Sequence, residues 1–151
     1  MKLSEILNPN SICIALRSTD KMTVLGELGE ILATHENQLK ADMITQVLTE
    51  RERLATTGVG EGVAIPHAKI DMLESIQIAV GLSKSGVEFD AVDGEPVNVF
   101  FALLAPMCSS GDHLRALAQI SRLLKNSDVR DKLLACQNAD ELLSVVREQE
   151  D

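Results

Sequence analysis

The segment Val97-Asn98-Val99-Phe100-Phe101-Ala102-Leu103-Leu104 carries apolar side chains at nearly every position instead of at every second one. Successive side chains of a strand point to opposite faces, so a strand of this composition needs an apolar layer on each side. The longest apolar run, Val99 to Ala105, is closed by Pro106 and is far shorter than the ~18 residues that cross a membrane. Ile76 to Leu82 has the same β-branched and apolar character. Two such strands require a central sheet with helices on both faces. The sheet need not be parallel throughout, because consecutive strands without a helix between them can pair antiparallel.

Helical periodicity supplies the covering layers. Leu3 to Leu7 reads as one helical turn and Ile12 to Leu16 as a strand. Thr19 and Asp20 offer N-cap oxygens ahead of Leu25, Leu28, Ile31 and Leu32, which recur at helical spacing. A second helix is predicted from Ala41 to Leu54, with Ile44, Val47 and Leu48 on its apolar face. Thr56 to Gly62 is a glycine-rich break, and Val63 to Ile65 is a short strand that stops at Pro66. Lys84 to Pro96, which holds Gly86, Asp93 and Gly94, reads as turns. Beyond Pro106 the period changes, and Leu114, Leu117, Ile120, Leu123 and Leu124 mark a long amphipathic helix. Ser127 and Asp128 are placed to cap a short helix ending near Cys136. Asn138 and Asp140 are placed to cap a last one carrying Leu142, Leu143 and Val146. The acidic end, Glu148 to Asp151, is expected to fray. The predicted order is β-α-α-β-β-β-α-α-α. With no repeat, low-complexity tract or linker, residues 1–151 are expected to form a single domain.

Charge and residue content narrow the function. Lys plus Arg number 14 against 23 Asp plus Glu, a net charge of −9. That balance opposes a nucleic-acid backbone or an anionic membrane surface as a partner. Trp and Tyr are absent and Phe numbers 3, which leaves no base-stacking platform. Cys13, Cys108 and Cys136 are odd in number and far apart, with no C-x-x-C, so neither a disulfide framework nor a zinc site is indicated. No paired-histidine spacing suggests a metal. A reduced, cytoplasmic compartment is expected. Lys2 is followed by polar Ser4 and Glu5, with no apolar stretch and cleavage site, so no targeting segment is expected.

One stretch combines unusual backbone with titratable groups. It runs from Glu50-Arg51-Glu52-Arg53-Leu54 through Thr56-Thr57-Gly58-Val59-Gly60-Glu61-Gly62 to Val63-Ala64-Ile65-Pro66-His67. Alternate glycines let a backbone approach a ligand and turn its N–H groups toward it. Pro66 holds the chain extended just ahead of His67. The spacing is not G-x-G-x-x-G, a helix and not a strand precedes it, and no Gly-Lys-Ser/Thr follows, so dinucleotide and P-loop readings fail. Each residue also has an ordinary reading. His67 fits an exposed turn, the glycines an αL turn, and Arg51 and Arg53 a helix C-terminus. His113 starts the long helix, where anions gather. His35, between Thr34 and Glu36, reads as solvated.

Taken together, Arg51-Glu52-Arg53-Leu54 and Thr57-Gly58-Val59-Gly60-x-Gly62-Val63-Ala64-Ile65-Pro66-His67 resemble the active-site signature of the enzyme IIA family of the bacterial phosphoenolpyruvate-dependent phosphotransferase system. The resemblance is to the fructose/mannitol type (PTS EIIA type 2), and within it to the nitrogen-regulatory branch. It extends over nearly the whole chain, including Phe100-Phe101-Ala102-Leu103-Leu104-Ala105-Pro106 and the His113-Leu114 pair. Ala68-Lys69 stands where many members carry Gly, and Met107-Cys108-Ser109-Ser110-Gly111 replaces a more acidic turn.

The resemblance implies a three-layer α/β/α sandwich with a mixed central sheet. It implies that His67 accepts a phosphoryl group, as tele-phosphohistidine, from a small histidine phosphocarrier protein (HPr-like), with Arg51 and His113 assisting. Thr57, Gly58, Gly60 and Gly62 are then expected to bind the phosphate through a hydroxyl and N–H donors. No metal, nucleotide or other cofactor is implied. The chain would be a phosphotransferase component and carrier, not a multiple-turnover metabolic enzyme. As a regulatory IIA protein it would control target proteins by phosphorylation state. As a sugar-transport subunit it would instead pass the group to a IIB domain. The end of the chain at Asp151, with no IIB or IIC domain attached, favours the regulatory form.

Overall fold

In a computed structural model of the protein, residues 2–33, 39–109 and 111–150 are described. His35, with its predicted solvated position, lies outside them, as do Ser110 and Asp151. Six strands form one mixed sheet flanked by helices on both faces.

The helices are α1 (Leu3–Ile6), α2 (Lys21–Ala33), α3 (Ala41–Leu54), α4 (Asp112–Lys125), α5 (Ser127–Ala135) and α6 (Ala139–Glu150). The strands are β1 (Ile12–Cys13), β2 (Gly58–Gly60), β3 (Val63–Ala64), β4 (His67–Ile70), β5 (Gln77–Val87) and β6 (Val97–Pro106). The sheet order is β1-β5-β6-β3-β2, with β4 also pairing β6. β1 runs parallel to β5, β5 antiparallel to β6, and β3 and β4 both parallel to β6.

β6 is the axis, and its composition explains why. Phe100 and Phe101 are neighbours in sequence, yet both are fully buried. Phe101, Leu103 and Ala105 pack with α4, α5 and α6, whereas Phe100, Ala102 and Leu104 pack with α2 and α3. On the first face lie Ala116, Ile120 and Leu124, Leu133, and Leu142 and Val146; on the second lie Leu25, Leu28, Ile44 and Leu48.

The central strands and the main helices follow the sequence reading, and α3 occupies the predicted span. Five local readings are corrected. The glycine-rich break contains β2, which forms a hairpin with β3: Gly60, Glu61 and Gly62 all have positive φ (101°, 57° and 77°), and the strand pairing satisfies the backbone. The chain does not leave the sheet at Pro66. Pro66 lacks an N–H, but its carbonyl accepts from the Leu103 N–H at 2.9 Å, and pairing with β6 resumes as β4. β5 runs past Lys84 to Val87, across an irregularity in register. At the other end, α6 holds to Glu150 because that carboxylate accepts from the Ser4 N–H at 3.1 Å and from its hydroxyl. Asn126, and neither Ser127 nor Asp128, caps α5: its side-chain oxygen accepts from the N–H groups of Asp128 and Val129.

Candidate functional site

His67 opens β4, in register with Leu103 of β6, and shares the sheet face covered by α4. Arg51 projects from the last turn of α3 and His113 from the first turn of α4. Far apart in sequence, the three line one open cavity of about 220 Å³, together with Ala68, Lys69, Leu103, Ala105, Leu114 and Leu117. It sits beyond the carboxyl-terminal half of β6, where the following helix turns back over the sheet.

The imidazole is held by the backbone. Nδ1 of His67 lies 2.8 Å from the Ile65 carbonyl oxygen. A carbonyl only accepts, so Nδ1 carries the proton and Nε2 keeps its lone pair. The geometry thus selects the tautomer whose free nitrogen belongs to the cavity. Burial pushes the His67 imidazole below its ordinary pKa; the Arg51 guanidinium and His113 push the same way, against the Ile65 carbonyl and Glu52. The net result favours the neutral, nucleophilic ring.

Arg51 is anchored at one end. Its Nη1 donates to the Ala55 carbonyl at 3.0 Å, closing the C-terminus of α3. Among the described residues, Nδ1 of His113 is buried without a hydrogen-bond partner. Such groups are costly to bury, and His113 itself lines the cavity. Lys69 adds a second cation to the wall, and among the described residues no carboxylate lines it. The arrangement combines a nucleophilic nitrogen, a guanidinium and a second imidazole, and suits an oxyanion-bearing electrophile.

Thr57, Gly58, Gly60 and Gly62 do not line the cavity. The Thr57 hydroxyl donates to Oε1 of Glu52 at 2.6 Å, and its N–H to Oε2 at 3.0 Å. The Gly58 N–H donates to Thr56 Oγ1 at 3.1 Å. Gly60 and Gly62 turn the β2–β3 hairpin next to Asp93 and Asn98. What the sequence reading did not single out is Glu52, a carboxylate only 6% exposed beneath the loop. A signal existed: it faces inward on α3, one helical turn from buried Leu48, where a lone carboxylate demands partners.

The family model described as "Phosphoenolpyruvate-dependent sugar phosphotransferase system, EIIA 2" matches residues 5–149. A nitrogen regulatory protein of Bradyrhizobium diazoefficiens is 39% identical over 146 residues, covering 97% of this chain and 95% of that protein. The crystal structure of the nitrogen regulatory protein IIA-Ntr from Neisseria meningitidis superposes with a TM-score of 0.88 at 30% identity, over 95% of this chain and 98% of that one. The mannitol enzyme IIA of Escherichia coli, solved in complex with phosphorylated enzyme IIB, shares the fold: TM-score 0.78, 19% identity, 94% and 97% coverage.

Proposed function

The chain belongs to the EIIA 2 family of the phosphoenolpyruvate-dependent sugar phosphotransferase system, and from that premise we propose that it is a phosphoryl-accepting regulatory protein of the nitrogen-regulatory branch, acting as a single cytoplasmic domain. The observation that carries this reading is the Nδ1–H to Ile65 carbonyl bond, which leaves Nε2 of His67 as the nucleophile between Arg51 and His113.

The donor is a phosphohistidine on a small phosphocarrier protein. The Nε2 lone pair attacks phosphorus, the donor's P–N bond breaks, and the electron pair leaves with the donor imidazole, which departs neutral because its other ring nitrogen carries a proton. One P–N bond replaces another, so the transfer is nearly balanced, and the proton stays on Nδ1, hydrogen-bonded to the Ile65 carbonyl, throughout. Catalysis is positioning plus stabilisation of charge on the equatorial oxygens. Arg51 supplies a guanidinium whose Nη1 is fixed on Ala55, and His113 supplies a ring nitrogen. Phosphorylation then sets which protein targets bind.

Incubation with a phosphocarrier protein and measurement of intact mass tests the reading. One phosphate should add, survive alkali and be lost in acid, and His67→Ala should take none. An acid-labile phosphate on His67→Ala overturns the assignment. Transfer onward to a IIB domain is the second reading, supported by the mannitol IIA solved with its phosphorylated IIB partner. Loss of label to an added IIB domain distinguishes it.

A further inference from the structure

A single continuous network runs beneath the cavity. It begins at Lys21, whose Nζ lies 3.0 Å from Oε2 of Glu52 and 4.8 Å from the centroid of the buried Phe89 ring. Both Glu52 oxygens are engaged by Thr57, at 2.6 Å from its hydroxyl and 3.0 Å from its N–H. The Thr57 carbonyl accepts from the Ile65 N–H at 3.0 Å. The carbonyl of that same Ile65 accepts the Nδ1 proton of His67 at 2.8 Å. A branch leads the other way. The segment 55–57 that Glu52 clamps also presents the Ala55 carbonyl, on which the Arg51 guanidinium is anchored.

We propose that Glu52, paired with Lys21 and clamping Thr57, is a positioning residue that sets the orientation of both the His67 imidazole and the Arg51 guanidinium. Three features argue for this over simple packing. A carboxylate 6% exposed is costly unless every oxygen is paired, and here each one is. Its partners are the backbone and hydroxyl of one residue, so displacing the carboxylate displaces the loop. That loop holds Arg51 directly, through the Ala55 carbonyl, and reaches His67 through two successive backbone-mediated hydrogen bonds by way of Ile65. The groups that act on the ring electrostatically are Arg51, Glu52 and His113, with Lys69 also on the cavity wall. Glu52 contributes the negative charge among them. The inference deepens the phosphoryl-acceptor reading and rests on it for its catalytic consequence.

The test uses the unphosphorylated full chain with ¹⁵N-labelled histidine. Wild-type His67 should show one tautomer, with the proton on Nδ1. Glu52→Gln keeps the shape, removes the charge and puts an amide where Lys21 and the Thr57 N–H need an acceptor. It should mix the His67 tautomers and lower the ring's titration midpoint. Thr57→Val, without the hydroxyl, should also mix the tautomers, and Thr57→Ser should restore the wild-type spectrum. Phosphorylation by a phosphocarrier protein should slow in Glu52→Gln by up to about 10²-fold, the cost of an ~1 Å misplacement. Leu142→Ala, in α6 and on the helical layer opposite Glu52, controls for lost stability and should leave the His67 signals unchanged. Should Glu52→Gln fail to fold, the Thr57 pair decides. His67 signals unchanged in both Glu52→Gln and Thr57→Val overturn the proposal. A wild-type protein that takes no phosphoryl group overturns the acceptor reading instead, and the histidine spectra still decide the relay.

Discussion

What makes His67 a candidate nucleophile is its surroundings rather than its residue type. A free imidazole titrates near about 6.5 and exchanges its proton between two nitrogens. Here the Ile65 carbonyl holds the proton on Nδ1, and burial disfavours the charged ring. The titration midpoint of His67, followed by NMR, should therefore lie below about 6.5; a midpoint at or above that value contradicts the burial argument. The same shift has a consequence for stability. As pH falls through the ordinary histidine range, the unfolded chain binds a proton before the fold does. The contribution of His67 is thus present above about 6.5 and is lost as pH falls toward its folded value. In the proposed transfer, Arg51 acts by charge and geometry. Arg51→Ala should slow phosphoryl acceptance by about 10²–10³-fold, the cost of removing one charge-stabilising donor. Arg51→Lys should restore only part of the rate, because an ammonium cannot hold the Ala55 carbonyl and a phosphoryl oxygen with one planar fork. Equal rates in wild type and Arg51→Ala would remove Arg51 from the mechanism.

At the scale of elements, the site depends on where α3 stops and where α4 begins. α3 ends with Arg51 in its last turn, and the chain then turns through 55–57 into the β2–β3 hairpin. α4 begins at Asp112, which puts His113 in the first turn over β6. α4 is held at its far end by Arg130 of α5. Its Nη1 donates to the carbonyls of Leu124 and Lys125, at 2.8 and 3.0 Å, and its Nη2 pairs with Glu61 of the hairpin at 3.0 Å. The cap of α5 is thus a structural feature remote from the chemistry. Asn126→Ala removes the oxygen that accepts from Asp128 and Val129 and should cost about 1 kcal/mol. That corresponds to a melting temperature lower by roughly 2–4 °C. Phosphorylation of His67 should be unaffected, and a large loss of transfer rate would show that the α5 cap reaches the site.

For the whole molecule, the acidic surplus and the site have opposite character. The chain carries a net charge of −9, yet the charged residues of the cavity wall are Arg51 and Lys69. In the proposed transfer, an incoming phosphoryl group thus meets cations on a protein that is otherwise anionic. Phosphorylation of His67, as proposed, would add roughly −1.5 to −2 charges by the ordinary phosphoester estimate. The response is expected to be electrostatic and local. Amide NMR shifts of phosphorylated protein should change around β4, the end of α3 and the start of α4, and leave α5 and α6 in place. Widespread shifts in α5 and α6 would instead indicate a conformational switch. His67→Asp should copy the phosphorylated state weakly in target binding, since a carboxylate brings less charge and fewer acceptors.

Much of this architecture is written in local composition. Phe100 and Phe101 side by side in an apolar run require cover on both faces, and the periodicity of residues 41–54 and 114–124 supplies the helices that provide it. The Arg51 to His67 stretch stands out because alternate glycines and a proline next to a histidine are rare, and their resemblance to a known signature named the chemistry. Tertiary structure decided the rest. Gly58–Gly60 and His67–Ile70 have no strand pattern of their own; they are strands because β3 and β6 offer them backbone partners. Arg51, His67 and His113 meet only because β4 and β6 run parallel beneath α4, a contact no local signal encodes. The tautomer of His67 and the pairing of Glu52 belong to the same class. Each is set by a hydrogen bond whose partner is brought within reach by the fold, and the energy of burying an unpaired charge or donor is what selects it.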